Sequence, residues 1–217
     1  MGLRATSPPV GGFVRVSMRL SIFPLPGALL FPRAYLPLHI FEPRYRAMVS
    51  DALARDRRIA MIQPRPGEGS DKPELFDVGC VGKIAQIEAL EDGRFNLVLE
   101  GVARFRVLRE LDAGTPFRQI EADFDAFDDS DGQSALPSVV RADVEHEARA
   151  YAEANGFHVD WDSVGRLDDE SLVNGIAQIT PFDIAAKQAL LEAADVAERA
   201  ELLVNFLRFF GQGGTVQ

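Results

Sequence analysis

The chain has 217 residues, 47% of them apolar and 26% charged, which is ordinary for a water-soluble globular protein of one large or two small domains. Its formal charge of −10 argues against a general phosphate-binding surface, because nucleic-acid affinity comes largely from Lys and Arg displacing counterions. Cys80 is the sole cysteine, so no intramolecular disulfide can form, which fits a reducing cytosol.

Residues 1–17, with Pro8, Pro9, Gly11 and Gly12, read as a flexible leader, and Met18 is a candidate start. Arg4, Arg15 and Arg19 interrupt any signal-peptide core. The longest uncharged early run, residues 20–32, contains three prolines and is too short to span a bilayer. The expected location is therefore cytoplasmic. Residues 35–41 read as a strand that stops at Glu42-Pro43. Residues 44–49 then look helical, since Pro at the first helical position lacks only an N–H that the helix leaves unpaired anyway. Residues 58–63 form a short buried strand, and 64–73 a polar loop. Residues 76–88 alternate in part, with Val81, Lys83, Ala85 and Ile87 on one parity. Glu91-Asp92-Gly93-Arg94 is a hairpin signal before a return strand at 95–100. Gly101 permits a bend or bulge before 103–107, and a last strand at 117–124 runs into an acidic break.

After Pro137 the apolar period becomes helical. Val140, Val144, Ala148 and Tyr151 share one stripe, and Asn155-Gly156 gives a stop. Asp168 or Asp169 can cap a helix carrying Leu172, Val173, Ile176 and Ile179. Thr180-Pro181-Phe182-Asp183 has the form of a capping box, and residues 195–198 repeat that logic. Leu203, Phe206, Leu207 and Phe210 follow helical core spacing. The expected fold class is α+β: a β-rich subdomain over 18–127, an acidic linker at 128–136, a helical subdomain over 137–211, and a flexible tail at 212–217.

Residues 37–46 read PLHIFEPRYR, which resembles the signature of stand-alone members of the Lon N-terminal domain family, the substrate-recognition module of ATP-dependent Lon proteases. Residues 76–84 are similar to that family's "yeVGtvarI" strand, and residues 92–105 to its "dGt…vlveGl.R" segment. Near the end, Ile176-Ala177, Lys187 to Glu192 and Asp195 to Arg199 resemble "IA…KQ.LLe..d..eRl". The four segments occur in the family's order and span about residues 20–210. The resemblance implies a PUA-like β subdomain followed by a helical bundle. This chain departs at Arg33, where many relatives carry Gly, which affects the local turn, and at Ala200, where they often carry Leu. It holds no G-x-x-x-x-G-K-[ST] phosphate loop and no G-x-S-x-G elbow. The resemblance therefore implies a binding module without ATPase or peptidase chemistry.

The other constellations read as structural. His146-Glu147 begins a zincin pattern, but position 150 is Ala, so no metal site is expected, and no cofactor. The acidic run Asp123, Asp125, Asp128, Asp129 and Asp131 lacks EF-hand spacing. Arg44, Arg46, Arg55, Arg57 and Arg58 read as a solvated helix face and loop, His39 as a structural histidine, and Cys80 as a small core residue. Phe31, Tyr35, Tyr45, Arg46, Phe209 and Phe210 are the candidate partner contacts, because a module that senses unfolded chains needs accessible apolar surface. The expected partners are protein or unfolded-peptide segments, with a separate protease as a further candidate and no membrane. Two alternatives stay open: an RNA-binding PUA-like module, and a small-molecule pocket between the subdomains.

Overall fold

The computed structural model describes residues 17–67, 72–129 and 135–211. Residues 1–16 of the leader, the tail from 212, and residues 130–134 of the acidic linker lie outside them. The β-rich part comprises β1 (Ser17–Pro24), β2 (Tyr35–Ile40), α1 (Pro43–Leu53), β3 (Arg58–Pro64), β4 (Leu75–Ala89), β5 (Phe95–Leu111) and β6 (Gln119–Asp123). The helical part comprises α2 (Ser138–Ala154), α3 (Trp161–Val164), α4 (Asp169–Ile179), α5 (Ile184–Glu192) and α6 (Val196–Gly211). The fold is α+β, and among the described residues no helix is long and apolar enough to cross a membrane.

Strands β5, β4, β3, β1 and β6 pair in sequence, and the second half of β5 pairs back onto β6 to close a ring. β2 adds to the first half of β5, and among the described residues only β1 and β3 run parallel. Closure is possible because β5 is long and bends. Its register against β4 shifts between Val81 and Gly82, leaving Val102 unpaired beside Gly101, where the sequence places a bend or bulge. A second shift on β4 between Ile84 and Gln86 leaves Ala85 unpaired.

These strands bury both faces, so a single alternating stripe describes β4 poorly. Val81 points into the ring with Leu20, Ile22, Ile62, Phe105 and Ile120. The opposite parity, Val78, Cys80 and Ile84, packs outward into the larger core shared with the helices. Lys83 and Ala85, placed with Val81 by alternation, are exposed, because β4 has run past the ring interior there and pairs with the first half of β5, and Ala85 is itself bulged.

Helix starts follow their capping chemistry. Pro43 opens α1 after Glu42, and Asp168 accepts from the Ser171 N–H to cap α4. Asp195 accepts from the Glu198 N–H at 2.8 Å, and the Glu198 carboxylate reaches back to the Ala194 N–H at 2.6 Å. The box expected at Thr180 does not form. Thr180 ends α4 and its hydroxyl donates to the Ile176 carbonyl, while Asp183 caps α5 by accepting from the Ala186 N–H. An acid three residues after a hydroxyl can be an N-cap itself, and here it is.

The helices lie on the ring through polar anchors. Arg104 on β5 grips the Asp129 carboxylate and donates to the carbonyls of Leu191, Ala193 and Ala194. Arg199 on α6 donates to the Leu190 carbonyl and to Asn174 Oδ1, and lies 4.5 Å over the Phe31 ring. Lys187 donates to the carbonyls of Gly27 and Gln178, and Gln63 to Gln188 Oε1. Burial lowers the pKa of Lys187, and that of Arg199 to about 10. Among the described residues no buried side-chain nitrogen or oxygen lacks a partner.

Candidate protein-binding surface

The six residues singled out from the sequence fall in three places. Phe31 is 0% exposed and sits under Arg199. Tyr45 is buried against Phe23, ring centroids 4.4 Å apart, with the Arg44 guanidinium stacked outside it. Burial raises the Tyr45 pKa. Both rings belong to the core, because the turn at residues 31–34 and the inner face of α1 close over the ring of strands. Tyr35 is exposed, its hydroxyl 3.4 Å from Glu100, and half-buried Arg46 packs across Gly93. Only Phe209 and Phe210 come together, edge to face at 5.2 Å on the last turns of α6.

Those two are one end of a longer aromatic series. Phe210 lies 5.3 Å from Phe182, which lies 6.2 Å from Tyr151, which lies 6.3 Å from Phe157. All are within the distance at which aromatic rings attract beyond simple burial. The middle of the series is core, whereas Phe157 at one end is 50% exposed and Phe209 at the other 66%.

A hollow opens beside each end. The hollow beside Phe157, about 290 Å³, is walled by Tyr151, Trp161, Val164, Ile176, Ile179 and Leu207. The hollow beside Phe209, about 640 Å³, lies between α5 and α6 and is walled mainly by Ala185, Ala186, Phe206, Phe209 and Phe210, with Asp183 and Asn205 at its margin. Phe157 and Ile179 escaped the sequence reading. The Asn155-Gly156 stop predicts that the chain turns before Phe157, not that the ring stays out of the core. Ile179 continues the stripe of Leu172, Val173 and Ile176 but is 76% exposed, because the stripe runs out over the hollow and not against another helix.

The remaining sequence features are tied up internally. Arg44 and Arg55 of the arginine run pair with Glu42 and Asp51. His39 Nδ1 meets Asn96 Oδ1 at 2.7 Å. Asp129, read as linker, is turned inward onto Arg104, and Asp131 lies outside the described residues. Burial pushes the Cys80 thiol far above its ordinary pKa. Among the described residues, no group of three or more His, Cys, Asp or Glu is placed to hold a metal ion.

A family model described as "ATP-dependent protease La (LON) substrate-binding domain" matches residues 19–208. The chain is 28% identical over 199 residues to Lon protease 2 of Myxococcus xanthus, covering 87% of this chain and 23% of that protein. It is 26% identical over 194 residues to Lon protease of Escherichia coli K12, covering 88% of this chain and 24% of that protein. The chain thus matches about a quarter of the length of these relatives. Among solved structures it resembles a Lon N-terminal domain protein from Xanthomonas campestris, with TM-score 0.63 and 20% identity over 87% of this chain and 98% of that one. It also resembles the N-terminal domain of Mycobacterium avium complex Lon protease, with TM-score 0.61 and 18% identity over 88% of this chain and 98% of that one. These likenesses show a shared fold.

Proposed function

This chain belongs to the LON substrate-binding domain family, and from that premise we propose that it binds polypeptide segments with accessible apolar side chains, as an adaptor or regulator in protein quality control. The role is binding without catalysis, in the cytoplasm, with a separate protease as a partner. One observation carries the reading: the helical subdomain holds a continuous aromatic series whose two ends emerge beside apolar hollows. Core rings fix the exposed ones in position, so little side-chain entropy is lost when a ligand covers them. Edge-strand pairing is the weaker route, because Pro37 in the edge strand β2 has no N–H to offer.

The test is the affinity of the purified protein for a permanently unfolded model polypeptide against its folded form. We expect binding to the unfolded form only. Phe209→Ser and Phe157→Ser should each weaken it by about tenfold, as expected for losing part of one buried aromatic side chain. Equal affinity for both forms, or none for either, would refute the proposal.

A further inference from the structure

The hollow between α5 and α6 sits in a face of one charge. Residues 137–211 hold fourteen Asp and Glu against six Lys and Arg. On α5, α6 and their caps the asymmetry is stronger. Asp183, Glu192, Asp195, Glu198 and Glu201 are all exposed, and none of them ion-pairs with a cation among the described residues. The cations of the same helices are withdrawn: Lys187 and Arg199 are buried toward the ring of strands, and Arg208 is paired with Glu147. Several of the acids also accept a helix hydrogen bond, which uses one lone pair and leaves the charge in place.

Helix spacing aligns this charge with the hollow. Glu201, Asn205 and Phe209 stand at i, i+4 and i+8 on one side of α6, with Glu198 one turn before them. Asn205 and Phe209 border the hollow, so its apolar floor continues into a carboxylate track. The track reaches Glu201 about 12 Å from Phe209, at 1.5 Å per helical residue. An extended peptide covers that distance in about four residues.

We infer that the α5–α6 face takes cationic apolar segments. An aromatic or aliphatic residue fills the Phe206–Phe209–Phe210 hollow, and Lys or Arg about four residues away lies over Glu198 and Glu201. This rests on the binding reading above and names the ligand class of one of its two hollows. Charge complementarity favours that occupant: an apolar segment flanked by acids meets like charge along the track, whereas a basic one releases it.

The experiment compares labelled peptides that share one aromatic anchor and differ only in flanking Lys, Ser or Glu, by fluorescence anisotropy at about 50 and 300 mM salt. The Lys-flanked peptide should bind at least tenfold tighter than the Glu-flanked one at low salt, with the gap narrowing at high salt. A double variant, Glu198→Gln with Glu201→Gln, keeps the cap hydrogen bond and should close the gap; thermal melting checks that it is folded. If Lys-, Ser- and Glu-flanked peptides bind alike, the inference falls while the apolar binding reading stands. Tight binding of the Lys-flanked peptide that survives Phe209→Ser also overturns it, since charge alone would then be sufficient. If no peptide binds, both fall.

Discussion

Arg33 carries a backbone geometry that an arginine seldom adopts. Its φ is 63°, in the left-handed region that costs a residue with a Cβ about 1 kcal/mol. Glycine, with no Cβ, takes this conformation freely. Two things hold Arg33 in place. Its N–H donates to the Gly101 carbonyl at 2.8 Å, in a turn packed against that glycine so closely that a Cβ would collide with the Phe31 carbonyl. Its guanidinium forms a two-point bridge to Glu170 at 2.9 and 2.6 Å and donates to the Asp129 carbonyl. Glu170 is 6% exposed at its side chain and Arg33 41%, so the bridge is partly screened but its loss would strand a buried carboxylate. That loss, about 2 kcal/mol, outweighs the relief of strain. Melting temperatures should therefore fall in the order wild type, Arg33→Gly, Arg33→Ala. Adding Glu170→Gln should partly restore Arg33→Gly. An Arg33→Gly protein as stable as wild type would show that the bridge contributes nothing.

At the scale of elements, the start of α4 is tied to the start of α2 by one side chain. Asp169 accepts from Arg141 Nη1 at 2.6 Å and from the Leu136 N–H at 2.7 Å. The Arg141 hydrogen bond first, then the Leu136 N–H, hold the Asp169 carboxyl below its ordinary pKa of 3.8. A carboxyl whose pKa is lowered on folding stabilises the fold above its unfolded value. The contribution fades as pH falls through the lower, folded value. Asp169→Asn should therefore cost about 1 kcal/mol at neutral pH. It should also make the loss of stability as pH falls below about 4 shallower than in wild type. Parallel acid limbs for the two proteins, measured by urea unfolding across that range, would exclude this role. The same distinction governs which caps are legible. Asp195 announces its helix because a cap needs only its own next few residues, and the sequence narrows the α4 cap to Asp168 or Asp169; the box read as starting at Thr180 is instead capped by its acid, Asp183. The packing of Phe182 into the aromatic series accompanies the later start.

For the whole molecule, the ring of strands and the helices share one apolar core and a polar junction centred on Arg104. Arg104 is 3% exposed and its partner Asp129 9% at the side chain, so the pair is cut off from water. Removing the carboxylate of such a pair strands a buried charge. Asp129→Asn should destabilise the protein by about 3 kcal/mol, about 10 °C in Tm for a chain of this size. Arg104→Met with Asp129→Asn should be more damaging than Asp129→Asn alone, because the carbonyls of Leu191, Ala193 and Ala194 then lose their donor as well. Differential scanning calorimetry of the three proteins checks the order; a harmless Asp129→Asn would mean that water reaches the guanidinium. The junction also explains why the helical subdomain can spend its outward face on exposed aromatics and unpaired acids. Its position is secured from within, by Arg104, Arg199 and Lys187.

Local chemistry was written in the sequence: the Pro43 start, a cap at Asp168 or Asp169, the Asp195 cap, the Gly93 turn, a bend or bulge at Gly101 and the change of period after Pro137. These depend on residues a few positions apart, and the family resemblance extended them to the α+β fold. What touches what across the fold was settled by tertiary structure. Arg33 and Glu170 are 137 positions apart, and no period links them. Phe31, Tyr45 and Phe209 are alike aromatic candidates for contact in the sequence, yet two are sealed in the core and one stands in solvent. Exposure depends on which elements pack over a residue, and the closed ring and its polar junction decide that only once the whole chain has folded.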